Sequence, residues 1–118
     1  MMDDRKIKEI AVLAAEAADN KKATDIIIMD VSELTSIADY FVLCNGNSEI
    51  QVKAIVEAIE EDLAAREIFP QRIAGKEEAR WVLMDYADVI VHVFHREERE
   101  YYELDRLWAD AEKILLNS

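Results

Sequence analysis

The sequence predicts a single α/β domain (mixed α+β): a mixed sheet of about five strands flanked by helices. Three observations lead there. Short apolar runs rich in β-branched residues, ATDIIIMDV at 23–31, YFVLC at 40–44 and VIVHVF at 89–94, have the length and branching of buried strands. Segments with apolar residues at helical spacing lie around and between them. A hydrophobic content of 52% in 118 residues, with 2 Gly and 1 Pro, suits one core without long linkers, and the domain is taken as residues 1–118.

The first helix is expected from about Asp3 to Asn20. Ile7, Ile10, Ala11, Ala14 and Ala18 recur at helical spacing, with Asp3 or Asp4 able to cap the start and Asn20 followed by two lysines at the end. Residues 23–31 follow as a strand buried on both faces, then the polar connection SELTSIAD, then the strand 40–44. NGNSEIQ, residues 45–51, is a boundary: Ser48 and Gln51 have capping-box spacing, so Ser48 should be the N-cap of a helix running to about Arg66. Val52, Ile55, Val56, Ile59 and Leu63 form its apolar face.

IFPQRIAG at 68–75 reads as a short strand, with Pro70 near an edge or at its start. WVLMDYADVIVHVFH then makes two strands, about 80–86 and 89–95, joined by a tight turn. A closing helix is expected, with Leu104, Leu107, Trp108, Ala111 and Leu115 as its buried stripe and Glu97, Glu98 and Glu100 in its first turn. A strand–helix–strand crossover combined with a hairpin makes the sheet mixed.

The formal net charge is −12, which disfavours nucleic acid and favours solubility and basic partners. No apolar stretch is long enough to span a membrane, and the N-terminus MMDDRKIKEI lacks the apolar core of a secretory signal, so a cytoplasmic protein is expected. The single cysteine, Cys44, can form no internal disulfide and reads as packing.

The catalytic alternatives have identifiable residues. Gly46-Asn47-Ser48 lies between a strand and a helix start, the layout of a phosphate cradle, but no GxGxxG or P-loop lysine accompanies it. Asp30, Asp39, Asp85 and Asp88 fall at strand ends and would hold Mg²⁺ if gathered, as in a metal-dependent nucleotidyltransferase. No DxD or DxE pair follows the glycine–serine turn, and aspartates at strand ends ordinarily bond to backbone N–H groups. His92 and His95 lie three apart on one strand and point to opposite faces, so they do not converge on one metal. No catalytic residue, cofactor or metal is therefore expected.

In the hairpin, Trp81, Leu83 and Asp85 share one face, and Val82, Met84 and Tyr86 the other. An aromatic anchor beside an aliphatic group and a carboxylate is typical of interface hot spots, although a tryptophan is as often simply core. Residues 96–112 carry seven acidic and three basic side chains, which suits a basic partner.

DIIIMDVSELTSIADYFVLCNGNSEIQVKAI, followed by WVLMDYADVIVHVFHREEREYYELDRLW, resembles the ribosomal silencing factor (Iojap) family over about residues 24–108. The resemblance implies a nucleotidyltransferase-like fold without the catalytic acidic pair. It implies a translational repressor that binds the large ribosomal subunit through the protein numbered fourteen in its series. Bound there, the factor sterically blocks joining of the small subunit when nutrients are scarce. A homodimer in the free state is implied as well. Carried onto this chain, Trp81 would be the apolar anchor, Val82 its neighbour, Asp85 a carboxylate facing basic groups and Tyr102 a border of the patch. Asp88 and His92 match the family's blocks and are expected to be structural. A role in large-subunit assembly is the alternative on the same surface.

Overall fold

The structure, a computed structural model, describes residues 4–98, 109 and 111–114. In chain order the elements are α1 (Asp4–Asn20), β1 (Thr24–Asp30), β2 (Tyr40–Gly46), α2 (Glu49–Ala64), β3 (Arg72–Ala74), β4 (Trp81–Asp85), β5 (Val89–His95) and β6 (Glu112–Ile114). The six strands form one mixed sheet in the order β3-β4-β5-β2-β1-β6.

The runs YFVLC and VIVHVF are apolar at nearly every position because they occupy the middle of the sheet. β2 pairs with β5 in parallel, and every residue of β2 is buried. Strands covered on both faces cannot alternate apolar with polar residues. The other neighbours pair antiparallel.

Both helices pack on one face. Ala11, Ala14, Ala15 and Ala18 of α1 and Val52, Ile55, Val56, Ile59 and Leu63 of α2 share a cluster with Val42, Cys44, Val91 and Val93 of the sheet. The run of alanines leaves little side-chain bulk between α1 and what it packs against. Met29, Phe41, Leu43, Ile90 and Phe94 form a second cluster on the opposite face. Ser48 is the N-cap as expected, its Oγ accepting from Gln51 N at 3.1 Å, but the return bond differs from a strict capping box: Gln51 Oε1 accepts at 2.6 Å from Asn47 N, one residue before the cap.

Three expectations are corrected. The sheet has six strands because residues 112–114 form β6, antiparallel to β1 with Ile28 opposite Ile114. The chain is helical at 96–98, but Ala111 lies in a bend and 112–114 form a strand, so the expected helix does not include these residues. The positions Leu104, Leu107, Trp108 and Leu115 of the expected stripe lie outside the described residues. The outer edge of β1 offers unpaired backbone groups, and pairing them outweighs the helical spacing of a few side chains. Burial of β1 on both faces holds only for its second half. Ile28 and Met29 are buried, whereas Thr24 and Asp25 are exposed and Asp25 adopts φ 50° where the register shifts.

Gly75 shapes the entry to β4. Its φ is +82°, and a Cβ there would lie 2.3 Å from the Trp81 carbonyl oxygen. Gly75→Ala is expected to lower the unfolding free energy by about 2 kcal/mol or more, through backbone strain plus displacement of β4. Urea denaturation checks this, and a loss under ~0.5 kcal/mol would contradict it.

Candidate functional site

The β4–β5 hairpin is set by its turn. Tyr86 N donates to Val89 O at 2.9 Å, and Ala87 takes a left-handed φ of 72°. That conformation is costly for alanine, and the Asp85 carboxylate offsets part of the cost by accepting from Ala87 N at 2.8 Å. The resulting register places Trp81 opposite Phe94, Leu83 opposite His92 and Asp85 opposite Ile90.

Alternation then divides the strand as expected. Val82, Met84 and Tyr86 join the helix-side cluster, while Trp81, Leu83 and Asp85 are half-buried on the other face. Over four residues of strand, Trp81 and Asp85 stand about 13 Å apart. Val82 departs from the expected contact patch: its side chain is wholly buried beneath the helices, so it holds β4 in place and does not adjoin Trp81. Tyr102 lies outside the described residues.

Trp81 is fixed by aromatic neighbours. Its indole Nε1–H donates to His92 Nδ1 at 3.1 Å. Its ring stacks on Phe94 with centroids 5.2 Å apart, and His92 in turn meets Phe41 edge-on at 5.1 Å. His92 is 5% exposed, a hydrogen-bonded core histidine as expected, and His95 is half-buried on the other face. Sequence reasoning did not pair Trp81 with His92. The signal was available in the hairpin, since a turn at 86–88 places them diagonally across the two strands.

The charges nearby are largely internal. Arg80 Nη2 donates to Glu97 Oε2 at 3.0 Å and Glu98 Oε1 at 3.1 Å, and Glu49 lies 3.9 Å from Nη1. These bonds raise the Arg80 pKa, and the bond from Arg80, aided by His95, holds the Glu97 carboxyl below its ordinary value. Arg80 thus ties the start of β4 to α2 and to the helical turn after β5. Exposed Arg72 stands across from Asp85 in the β3–β4 ladder, so the acidic end of the stripe has a basic neighbour.

Two of the candidate carboxylates, Asp30 and Asp85, bond to their own turns, and the backbone of Asp88 ties the turn to β2. Asp30 Oδ1 accepts from Ser32 N at 3.0 Å and Ser32 Oγ at 2.6 Å, and Asp88 contributes its carbonyl to Asp39 N and Tyr40 N. Among the described residues, no three His, Cys, Asp or Glu side chains gather as metal ligands. At the Gly46-Asn47-Ser48 turn, the Asn47 N–H is taken by Gln51 Oε1 and, in the first turn of α2, the Gln51 N–H by Ser48 Oγ. A Cβ on Gly46 would meet Val52 Cγ2 at 2.8 Å, so helix packing accounts for the glycine. An open cleft of about 610 Å³ beside α2, lined by Lys53, Glu57, Ile73 and Lys76, is separate from the Trp81 face.

A family model for "ribosomal silencing factor during starvation" matches residues 4–118. The chain belongs to this family. It is 47% identical over 104 residues to the ribosomal silencing factor RsfS of Bacillus subtilis, covering 88% of each chain. It is 30% identical to the chloroplastic protein Iojap of Zea mays over 97% of this chain and 50% of that one. A mouse protein named for mitochondrial assembly of the ribosomal large subunit is 31% identical over 75% of this chain and 40% of its own length. A crystal structure from Bacillus halodurans superposes with TM-score 0.81 at 40% identity, covering 92% of this chain and 99% of that one. One from Chromobacterium violaceum gives 0.82 at 32% identity, covering 99% and 94%. This ribosomal silencing factor family member thus shares the mixed fold of its relatives.

On the helix side of the hairpin, Tyr86 is 7% exposed, and its hydroxyl takes no hydrogen bond among the described residues. Burial, and then the charge of Glu60, push its pKa up to about 12. Its folded pKa exceeds the unfolded value of about 10, so its contribution is constant below that pH and is lost as pH rises towards 12. Tyr86→Phe is expected to change stability by less than ~1 kcal/mol at pH 7 and to flatten the alkaline loss relative to wild type. Paired urea titrations across this range check it, and parallel alkaline losses in the two proteins would contradict it.

Proposed function

We propose that this protein represses translation by binding the large ribosomal subunit through the protein numbered fourteen in its series, so that the small subunit cannot join. The Trp81–Leu83–Asp85 stripe is the contact surface, with Tyr102 at its border. The observation that carries this reading is the half-exposed stripe, on the sheet face opposite α1 and α2 and held by His92 and Phe94. A rigid aromatic beside an aliphatic residue and a carboxylate gives affinity at low entropic cost.

The mechanism is steric and needs no bond-making chemistry. An interface of ordinary size buries about 800 Å² on each partner, enough for stable docking. Repression then requires only that the bound domain overlap the volume of the incoming subunit. The net charge of −12 attracts a basic ribosomal protein and opposes adventitious binding to ribosomal RNA. The factor acts in the cytoplasm when nutrients are scarce and is a homodimer when free.

A second reading, assembly of the large subunit, is favoured by the name of the mouse relative. It uses the same surface on an immature particle. Preferential retention on precursor particles over mature subunits, read by sedimentation, would favour it.

Trp81→Ala is expected to weaken binding to purified large subunits by ~2 kcal/mol or more and to restore subunit joining in proportion. Co-sedimentation with light scattering of reassociating subunits measures both. Undiminished affinity of a folded variant would remove the hairpin from the contact surface.

A further inference from the structure

We infer that His92 is a positioning residue for the contact: by accepting the indole N–H of Trp81 it fixes the one ring orientation that the partner receives. The inference rests on the reading that Trp81 meets the partner. An indole N–H only donates, so the 3.1 Å bond from Trp81 Nε1 to His92 Nδ1 requires a lone pair on Nδ1. In that geometry Nδ1 acts as the acceptor and carries no proton. His92 is itself fixed, being 5% exposed, edge-on to Phe41 at 5.1 Å and stacked with Phe94 at 6.1 Å.

The arrangement also defines what Trp81 offers. Its polar edge is committed to His92 and one ring face lies on Phe94 at 5.2 Å and 29°. With the indole N–H so engaged, the receiving site need supply no hydrogen-bond acceptor to it. Tryptophan in place of a smaller aromatic gives the ring its internal anchor. A half-buried ring held on two sides loses little freedom on binding.

Two substitutions separate the hydrogen bond from packing. Asparagine can place an acceptor oxygen near the position of Nδ1, whereas phenylalanine fills the ring volume without one. The free protein is read by the Trp81 indole ¹H–¹⁵N resonance, assigned with Trp108→Phe, and binding by co-sedimentation with large subunits. In His92→Phe the Trp81 resonance is expected to move towards that of a free indole and affinity to fall about fivefold, the worth of one neutral hydrogen bond. His92→Asn is expected to recover most of both. The wild-type indole N–H is expected to exchange with D₂O more slowly than an exposed indole, a readout that needs no variant to fold.

Fast exchange in the wild type, or a His92→Phe protein with unchanged resonance and affinity, overturns the inference. So does His92→Asn behaving like His92→Phe. If Trp81→Ala loses affinity and His92→Phe does not, only the positioning role falls. If neither loses affinity, the hairpin contact falls with it.

Discussion

Seven residue pairs, from Tyr40 with Val89 to Gly46 with His95, join β2 to β5 in parallel at the centre of the sheet. Parallel strands cannot be joined by a hairpin, so the chain must leave β2, cross a face and return in the same direction. α2 makes that crossing and covers one face, and α1 packs beside it. β3 and β4 then line up outside β5 before the chain re-enters the centre. With α1 and α2 on one face, the Trp81 side of the hairpin is left facing away from them.

Which residues the hairpin presents follows from that choice of side. One residue of slip in the β4–β5 register would turn Trp81 into the helix layer and expose Val82. The turn guards against it: the left-handed Ala87 and the Asp85–Ala87 bond define the loop, and Arg80 clamps the other end of β4 through Glu97 and Glu98. Asp85 therefore serves the turn with one oxygen while standing at the end of the exposed stripe. Such double use ties the surface to the fold, since changing Asp85 alters the turn as well as the patch.

Much of the site could be read from residue order because strand alternation is a local rule. Trp81, Leu83 and Asp85 on one face, with Val82, Met84 and Tyr86 on the other, needed only the period of two. Placing Val82 beside Trp81 as a contact ignored that same period, since adjacent residues of a strand point to opposite sides. The bond between Trp81 and His92 was harder to see. It spans two strands, and it emerges only when the turn is fixed at 86–88 and the diagonal neighbours are drawn.

The local chemistry of the chain dictated α1, the capped start of α2, the central apolar strands and the hairpin, because helical spacing, a capping box and β-branched runs act over a few residues. Residue order also carried the family resemblance through several long blocks. Tertiary structure decided the sixth strand: Glu112–Ile114 has little strand character alone and pairs because β1 presents an open edge. It likewise decided the uneven burial of β1 and the partners of Arg80, whose three carboxylates come from α2 and from the turn after β5. Those outcomes depend on which surfaces are already covered when a segment arrives, and that is a property of the assembled sheet.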